Sequence, residues 1–217
     1  MPSTDIYLVG TENYYDNYDS SQWPEQYPAS LMGNIADWCE VTWSDWVDQE
    51  LGYESNWNAR GGQIPESTLS NSSLSQRRTD ADNWLQNNWK YYDECDAVLV
   101  IDYKSLSDGL LGYAYIGTAG DSQNKTGIVN MEPFEGGSPS NFFDEVEYYG
   151  TSFHEVCHLY DAVHSDGGIY NDDETSLMVS IADDTNQCYD EGEKEVRTRN
   201  VHGCAHTAVR YHMDQNL

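Results

Sequence analysis

The stretch His154-Glu155-Val156-Cys157-His158-Leu159-Tyr160-Asp161-Ala162-Val163-His164 gathers three imidazoles and a carboxylate. Two histidines four apart on a helix project from the same face. Both ring nitrogens can then reach one tetrahedral metal at about 2.0–2.1 Å. His164 is six residues beyond His158, too far round to join them on a straight helix. A helix that ends near Asp161, with the chain turning back, brings His164 in as a third ligand. Three imidazoles suit Zn²⁺, and three protein ligands leave the fourth position open, which marks a catalytic site over a structural one. Glu155, beside the first ligand, then lies over the open position as general base instead of coordinating. The alternative is three ordinary histidines on a buried or solvated face.

Hydrophobic pattern predicts the elements that hold these residues. Phe142 to Asp161 reads as the helix carrying the first two ligands. Asp5 to Gly10 is a first strand, and the segment from there to Pro28 is loop. From Ala29, the positions Leu31, Ile35, Trp38, Thr42 and Trp46 fall at helical spacing, so a long helix runs to about Leu51. Residues 52 to 75 show no period, apart from a strand suggested near Gly62 to Ile64. A second helix covers about Ser75 to Tyr92, with Trp84, Leu85 and Trp89 inward. The apolar run Ala97 to Ile101 suits the buried middle of a sheet. Two more strands follow near Leu111 to Ile116 and Gly127 to Met131, then a surface loop at Glu135 to Pro139. Ser165 to Thr175 is loop, and a last helix is expected from about Glu191 to Met213.

Composition narrows the class. The chain has 217 residues, enough for one domain with its own core. Its 38 acidic and 10 basic residues give a net charge of -28, spread along the whole length. Such a surface repels phosphates and excludes a nucleic-acid binder. Seven Trp and seventeen Tyr are too much aromatic mass for a disordered acidic chain. Dense carboxylates with few lysines suit a folded protein from a salt-loaded environment, where they hold hydration and cations. No apolar run is long enough to span a membrane. The start, Met1-Pro2-Ser3-Thr4-Asp5, lacks the pattern of a signal peptide. The chain is therefore intracellular, in a salt-accumulating cell, or a leader has been removed and it is secreted. Five cysteines are spaced too widely for a zinc ribbon or a redox CxxC pair. Cys39 with Cys95 and Cys188 with Cys204 are the expected disulfides, and Cys157 is a buried free thiol. His202 and His206 share a helical face on the expected last helix and read as surface or packing residues.

The histidine stretch resembles the metzincin family of zinc endopeptidases, whose pattern is H-E-x-x-H-x-x-G-x-x-H followed by a methionine-containing turn. The resemblance covers residues 96 to 180. It implies that Met178, in Thr175-Ser176-Leu177-Met178-Val179-Ser180, lies beneath the imidazoles, with neighbouring residues walling the pocket that follows the scissile bond. It also implies that Gly112, Tyr113, Ala114 and Tyr115 form an edge strand that aligns an extended peptide above the zinc. One departure is Asp161 at the glycine position, where the turn needs a left-handed backbone. Asp tolerates that conformation at a cost of roughly 1 kcal/mol. Ser165 after the third ligand is similar to the matrixins, and Gly112 to Tyr115 to the adamalysins. No tyrosine stands two places after Met178 as in the astacins.

The fold expected on this basis is α/β: a twisted mixed sheet with an antiparallel edge strand, packed on helices, in a single domain. Residues 1–164 form an upper part with the zinc helix, and residues 165–217 a smaller irregular part ending in a helix. The expected function is hydrolysis of a peptide or protein substrate by a monomer. A catalytically silent zinc-bearing module of the same fold, binding peptides or protein partners, is the alternative. The charge generates a separate prediction. The Debye length falls from about 30 Å at 0.01 M to about 3 Å at 1 M salt, so carboxylate repulsion is relieved as salt rises. The melting temperature should climb between low and molar KCl, and a flat or falling curve would remove the salt-adapted reading.

Overall fold

A computed structural model describes residues 2–17, 28–49, 52–132, 142–172, 174–180, 187–192 and 196–217. In chain order its elements are β1 (Ser3–Thr11), α1 (Glu12–Asn17), α2 (Pro28–Trp43), β2 (Glu54–Ile64), α3 (Leu74–Asn88), β3 (Ala97–Asp102), β4 (Gly112–Tyr113), β5 (Thr126–Asn130) and α4 (Phe142–Leu159). After α4 come β6 (Gly168–Ile169), β7 (Glu174–Thr175), β8 (Tyr189–Asp190), β9 (Val196–Arg197) and α5 (Gly203–Asn216). The architecture is mixed α/β, as expected. The larger sheet has the order β2-β1-β3-β5-β4. Its first four strands are parallel, and β4 alone runs antiparallel, at the edge beside β5. Among the described residues, no helix is long and apolar enough to cross a membrane.

Alternation along the central strands explains the two layers of helix. Ile6, Leu8, Leu99 and Ile101 face one core cluster with residues of α2, α4 and α5. Tyr7, Val9, Val98 and Val100 face a second cluster with Leu74, Ala81 and Leu85 of α3. A sheet covered on both faces buries every residue of β3, which is why its sequence is an unbroken apolar run. These two layers also correct one disulfide expectation. Cys39 belongs to the first cluster and Cys95 to the second, so the sheet stands between them and both are free thiols, as is the buried Cys157. Cys188 and Cys204 are bonded, with their Cα atoms 6.5 Å apart.

Several boundaries differ from the pattern-based ones. A short helix, α1, occupies part of the segment expected to be loop. The first long helix stops at Trp43 and continues as a π-helical turn over Ser44–Asp48, closing on Gln49 at φ 39°. Its deepest aromatic is Trp43, which is 1% exposed and packs on Trp57, Phe153 and Tyr160; Trp38 and Trp46 are only partly buried. β2 takes up nearly half of the stretch that showed no period, because an outer strand buries only Trp57 and Ile64. Its register against β1 shifts between Leu8 and Gly10, and Gly62 in that bulge has φ 138° with Trp89 packed where a Cβ would stand. The smaller part after α4 is a four-stranded sheet of two-residue strands, in the order β8-β6-β7-β9. The last helix begins only at Gly203, after β9, and Val201 is buried outside it. The expected loop at Glu135 to Pro139 lies outside the described residues.

A buried ionic cluster ties α3 to the C-terminal ends of β1 and β3. Arg77, fully buried, donates from Nε and Nη2 to Asp102 at 2.6 and 3.0 Å, and from Nη1 and Nη2 to Glu66 at 3.1 and 2.7 Å. Thr11 donates to Asp102 at 2.8 Å, and Lys104 to Glu66 at 2.8 Å. Breaking a buried pair by removing one partner leaves an uncompensated charge, at about 3–5 kcal/mol. Arg77→Met should therefore lower unfolding free energy in urea by about that amount, and adding Asp102→Leu should return part of it. A loss below about 1 kcal/mol for Arg77→Met would show that Asp102 finds other compensation.

Candidate metal centre and cleft

Helix α4 presents two faces. Phe153, Val156 and Cys157 pack into the first core cluster, while His154, Glu155 and His158 line clefts on the opposite side. The helix ends in a hydrogen-bonded cap. Ala162 N–H donates to the Cys157 carbonyl at 3.1 Å and Asp161 N–H to the His158 carbonyl at 3.0 Å, a Schellman pair with Asp161 at φ 72°. The aspartate thus takes the left-handed position expected of it. From this turn the chain runs extended through Val163 into a 3-10 turn, His164–Asp166, whose start is held by Val163 N–H on the Asp166 carboxylate at 2.8 Å.

The three imidazoles meet. The Nε2 atoms of His154, His158 and His164 are 3.0, 3.1 and 3.2 Å from one another. The other nitrogens decide what these short distances mean. His154 Nδ1 is 2.7 Å from the Leu177 carbonyl, and His158 Nδ1 is 2.7 Å from the Ala162 carbonyl. A carbonyl accepts only, so each Nδ1 carries the proton and donates it. Each facing Nε2 is then a bare lone pair. Two such lone pairs at 3.0 Å share no hydrogen bond and repel, unless a cation lies between them. A tetrahedral zinc with ligand bonds of about 2.0–2.1 Å separates its nitrogens by roughly 3.3 Å, close to what is seen. Burial, with the neighbouring histidine adding to it, holds His154 well below its ordinary pKa. Burial likewise lowers His158 to about 4, against the opposing hydrogen bond to Ala162. Both are neutral at pH 7, the form a metal needs.

Leu177 belongs to the methionine-containing segment. Val179 N–H donates to the Ser176 carbonyl at 3.1 Å, so Leu177 and Met178 sit at the centre of a tight turn. Leu177 N–H is held by the Asn200 carbonyl at 2.8 Å, and Gly168 donates to the Ser176 hydroxyl at 2.9 Å. Gly150 of α4 lets the turn pack close, since a Cβ there would stand 2.8 Å from Leu177. Met178 is fully buried. The anchoring of His154 through a backbone carbonyl was invisible in the sequence, because any residue supplies one.

Two clefts flank the imidazoles and share Leu110, Gly112, Glu155 and His164. One, of about 520 Å³, is lined by Tyr113, Ala114, Ile116, Val163 and Ser165. The other, of about 280 Å³, is lined by Glu147, Thr151, Ser180 and Arg197. Gly112, at the edge of the sheet, lies against the Glu155 side chain, and a Cβ on it would stand 2.4 Å from Glu155 Oε1. No other residue fits that position without displacing the carboxylate. Glu155 is 6% exposed and has no hydrogen-bond partner among the described residues. Burial pushes its pKa up to about 8, with Arg197 drawing it the other way. Of the four proposed edge-strand residues, Gly112, Tyr113 and Ala114 line a cleft. Tyr115 instead lies over the buried Arg78 guanidinium at 3.9 Å.

No family model and no curated protein matches the chain. Among solved structures, a chain described as "Structure of a chaperone-substrate complex" shares the fold with a TM-score of 0.56. The two are 12% identical, over 98% of this chain and 34% of that one. This chain thus spans about a third of that protein's length, and at such identity the likeness is one of fold alone.

His202 and His206 do not form a helical pair. His202 is the N-cap of α5, accepting from Cys204 N–H at 3.3 Å, while His206 lies inside the helix. His212 is buried against the Ala119 carbonyl. The residues that pattern reading missed are Leu110, Glu147, Thr151 and Arg197, none of which stands in a recognisable motif. The geometry predicts the metal. Protein dialysed with zinc and then desalted should retain it stoichiometrically by elemental analysis, and His158→Ala, with two imidazoles left, should not. Equal retention by both would place the ion elsewhere.

Proposed function

We propose that the chain is a zinc-dependent endopeptidase of the metzincin type. The observation that carries the reading is the convergence of three imidazole Nε2 atoms, two of them bare lone pairs, beside a buried carboxylate that has no hydrogen-bond partner among the described residues. Bound zinc would polarise the scissile carbonyl and bring the pKa of a water toward about 7. With a bound cation drawing Glu155 down from about 8 and so keeping it ionised, its carboxylate would accept the proton of the attacking water and deliver it to the leaving amine nitrogen. Its burial beneath Gly112 excludes bulk water from that exchange. β4, whose outer side has no strand neighbour in the larger sheet, holds the peptide extended by strand addition. The carbonyls of Leu177 and Ala162 fix both imidazoles and their tautomers, as second-sphere acceptors do in zinc sites.

A silent module that binds peptides is the competing reading, and the fold neighbour described as a chaperone-substrate complex is compatible with it. Glu155 argues for catalysis, since a purely structural ion has no use for an unpaired buried carboxylate at its side. Glu155→Gln tests this directly. Gln is nearly isosteric and coordinates nothing, so zinc content and melting temperature should be kept. Peptide hydrolysis should fall by roughly 10²–10⁴. Hydrolysis at the parental rate with zinc still bound would remove Glu155 from the mechanism.

A further inference from the structure

The cleft on the side of the methionine-containing turn holds a feature that metal binding does not use. Arg197, from β9, lines it together with His154, Glu155 and Ser180. Its side chain is only 10% exposed. Nη2 donates to the Val179 carbonyl at 3.1 Å, which fixes the head of the side chain against the turn. Nε is buried and has no hydrogen-bond partner among the described residues. The Glu147 carboxylate stands 3.7 Å from Nη1, outside hydrogen-bond range, and its side chain is 44% exposed. A guanidinium held in a cleft with an unsatisfied donor is costly unless an anion completes it.

The sheet says which part of a peptide would meet it. Antiparallel pairing is the more stable choice at an edge. A peptide paired in that sense with β4 runs from the Ile116 end toward the Gly109 end. Ile116 lines the larger cleft, and Gly109 lines the smaller one with Arg197. The part of the peptide after the scissile bond therefore enters the Arg197 cleft. Resting on the endopeptidase reading for the position of that bond, we propose that Arg197 is a specificity-determining residue that selects peptides bearing a carboxylate just after the cleaved bond. Aspartate and glutamate side chains supply such a group, and so does the free C-terminus of a short peptide.

Three internally quenched peptides separate these sources: one with Glu after the scissile bond and an amidated C-terminus, its Gln counterpart, and the Gln peptide with a free carboxylate close by. The amidated Glu peptide should exceed the Gln peptide in kcat/KM by about 10–100-fold, the span of a charge-assisted hydrogen bond. The ratio should collapse toward one in Arg197→Met. If Arg197→Met fails to fold, Glu147→Gln serves instead. It removes the competing carboxylate from a half-exposed position, so the ratio should rise. Preference only for the free carboxylate would assign the cleft to a chain terminus, still through Arg197. Equal cleavage of all three by the parent would overturn the proposal and leave the endopeptidase reading standing. Binding of the same peptides to zinc-loaded Glu155→Gln, by fluorescence anisotropy, separates the opposite case. If the parent cleaves nothing, binding of the Glu peptide by Glu155→Gln that is lost when Arg197→Met is added would keep the specificity site and remove the peptidase reading. Neither cleavage nor binding would overturn both.

Discussion

The bare lone pairs of His154 and His158, pointed at each other, are unfavourable in an uncharged protein interior, and most of the local structure can be understood as what is required to keep them so aligned. Each Nε2 faces its neighbours only if its Nδ1 proton has somewhere else to go. For His154 that place is the Leu177 carbonyl, and for His158 it is the Ala162 carbonyl. The first requirement fixes the turn containing Met178, and the second fixes the turn that ends α4. The short strands β6 to β9 matter chiefly as the frame of the first turn, through Gly168 on Ser176 and Asn200 on Leu177. The second turn demands a left-handed residue, and the chain accepts Asp161 there at a cost of roughly 1 kcal/mol relative to glycine. Such a cost is tolerable because the Schellman pair and the placement of His164 both depend on it.

A second constraint is the closeness of β4 to α4. Glu155 needs to be shielded from bulk water and yet left without a partner, so something small must cover it. Gly112 does this with backbone alone. The edge strand consequently covers the carboxylate at Gly112 and, on the proposed function, begins there the rim on which an extended chain would pair. On that reading the antiparallel direction of β4 would set which end of a paired peptide meets which cleft, and chemistry and polarity of binding would share a single strand.

How much of this was legible follows from where each signal resides. The histidine spacing on α4, the reversal at Asp161 and the doubly buried β3 are written in side chains within a few residues of each other, and they were readable. β2 was not, because an outer strand with two buried residues carries no alternation to detect. The start of α5 was misplaced by the apolar Val201, which is buried in the first core cluster from the segment before the helix begins. The Cys39 to Cys95 pairing failed because sequence spacing says nothing about which face of a sheet a residue lies on. Backbone acceptors such as Leu177 and Ala162 leave no compositional trace, and neither does an arginine whose importance depends on a cleft formed by three distant segments. The mixed α/β class was therefore accessible from local pattern, whereas the outer half of the candidate site required tertiary structure.

The charge distribution sharpens the last point. Of the 10 basic residues, Arg77 and Arg78 are fully buried and Lys125 nearly so, each bonded inside the protein. Asp82, Asp102 and Glu155 are buried as well, so among the described residues burial removes as many acids as bases and the outer surface keeps the acidic balance of the net charge of -28. At low salt such a surface repels an acidic peptide at long range, against any attraction by a single guanidinium. Screening does not act equally on the two. At molar salt the Debye length of about 3 Å extinguishes repulsion from distant surface carboxylates, while a contact made inside a cleft loses little. A sheltered arginine can therefore select a carboxylate on a strongly acidic protein, provided the medium is saline. The acidic exterior and the buried position of Arg197 are compatible for the same electrostatic reason.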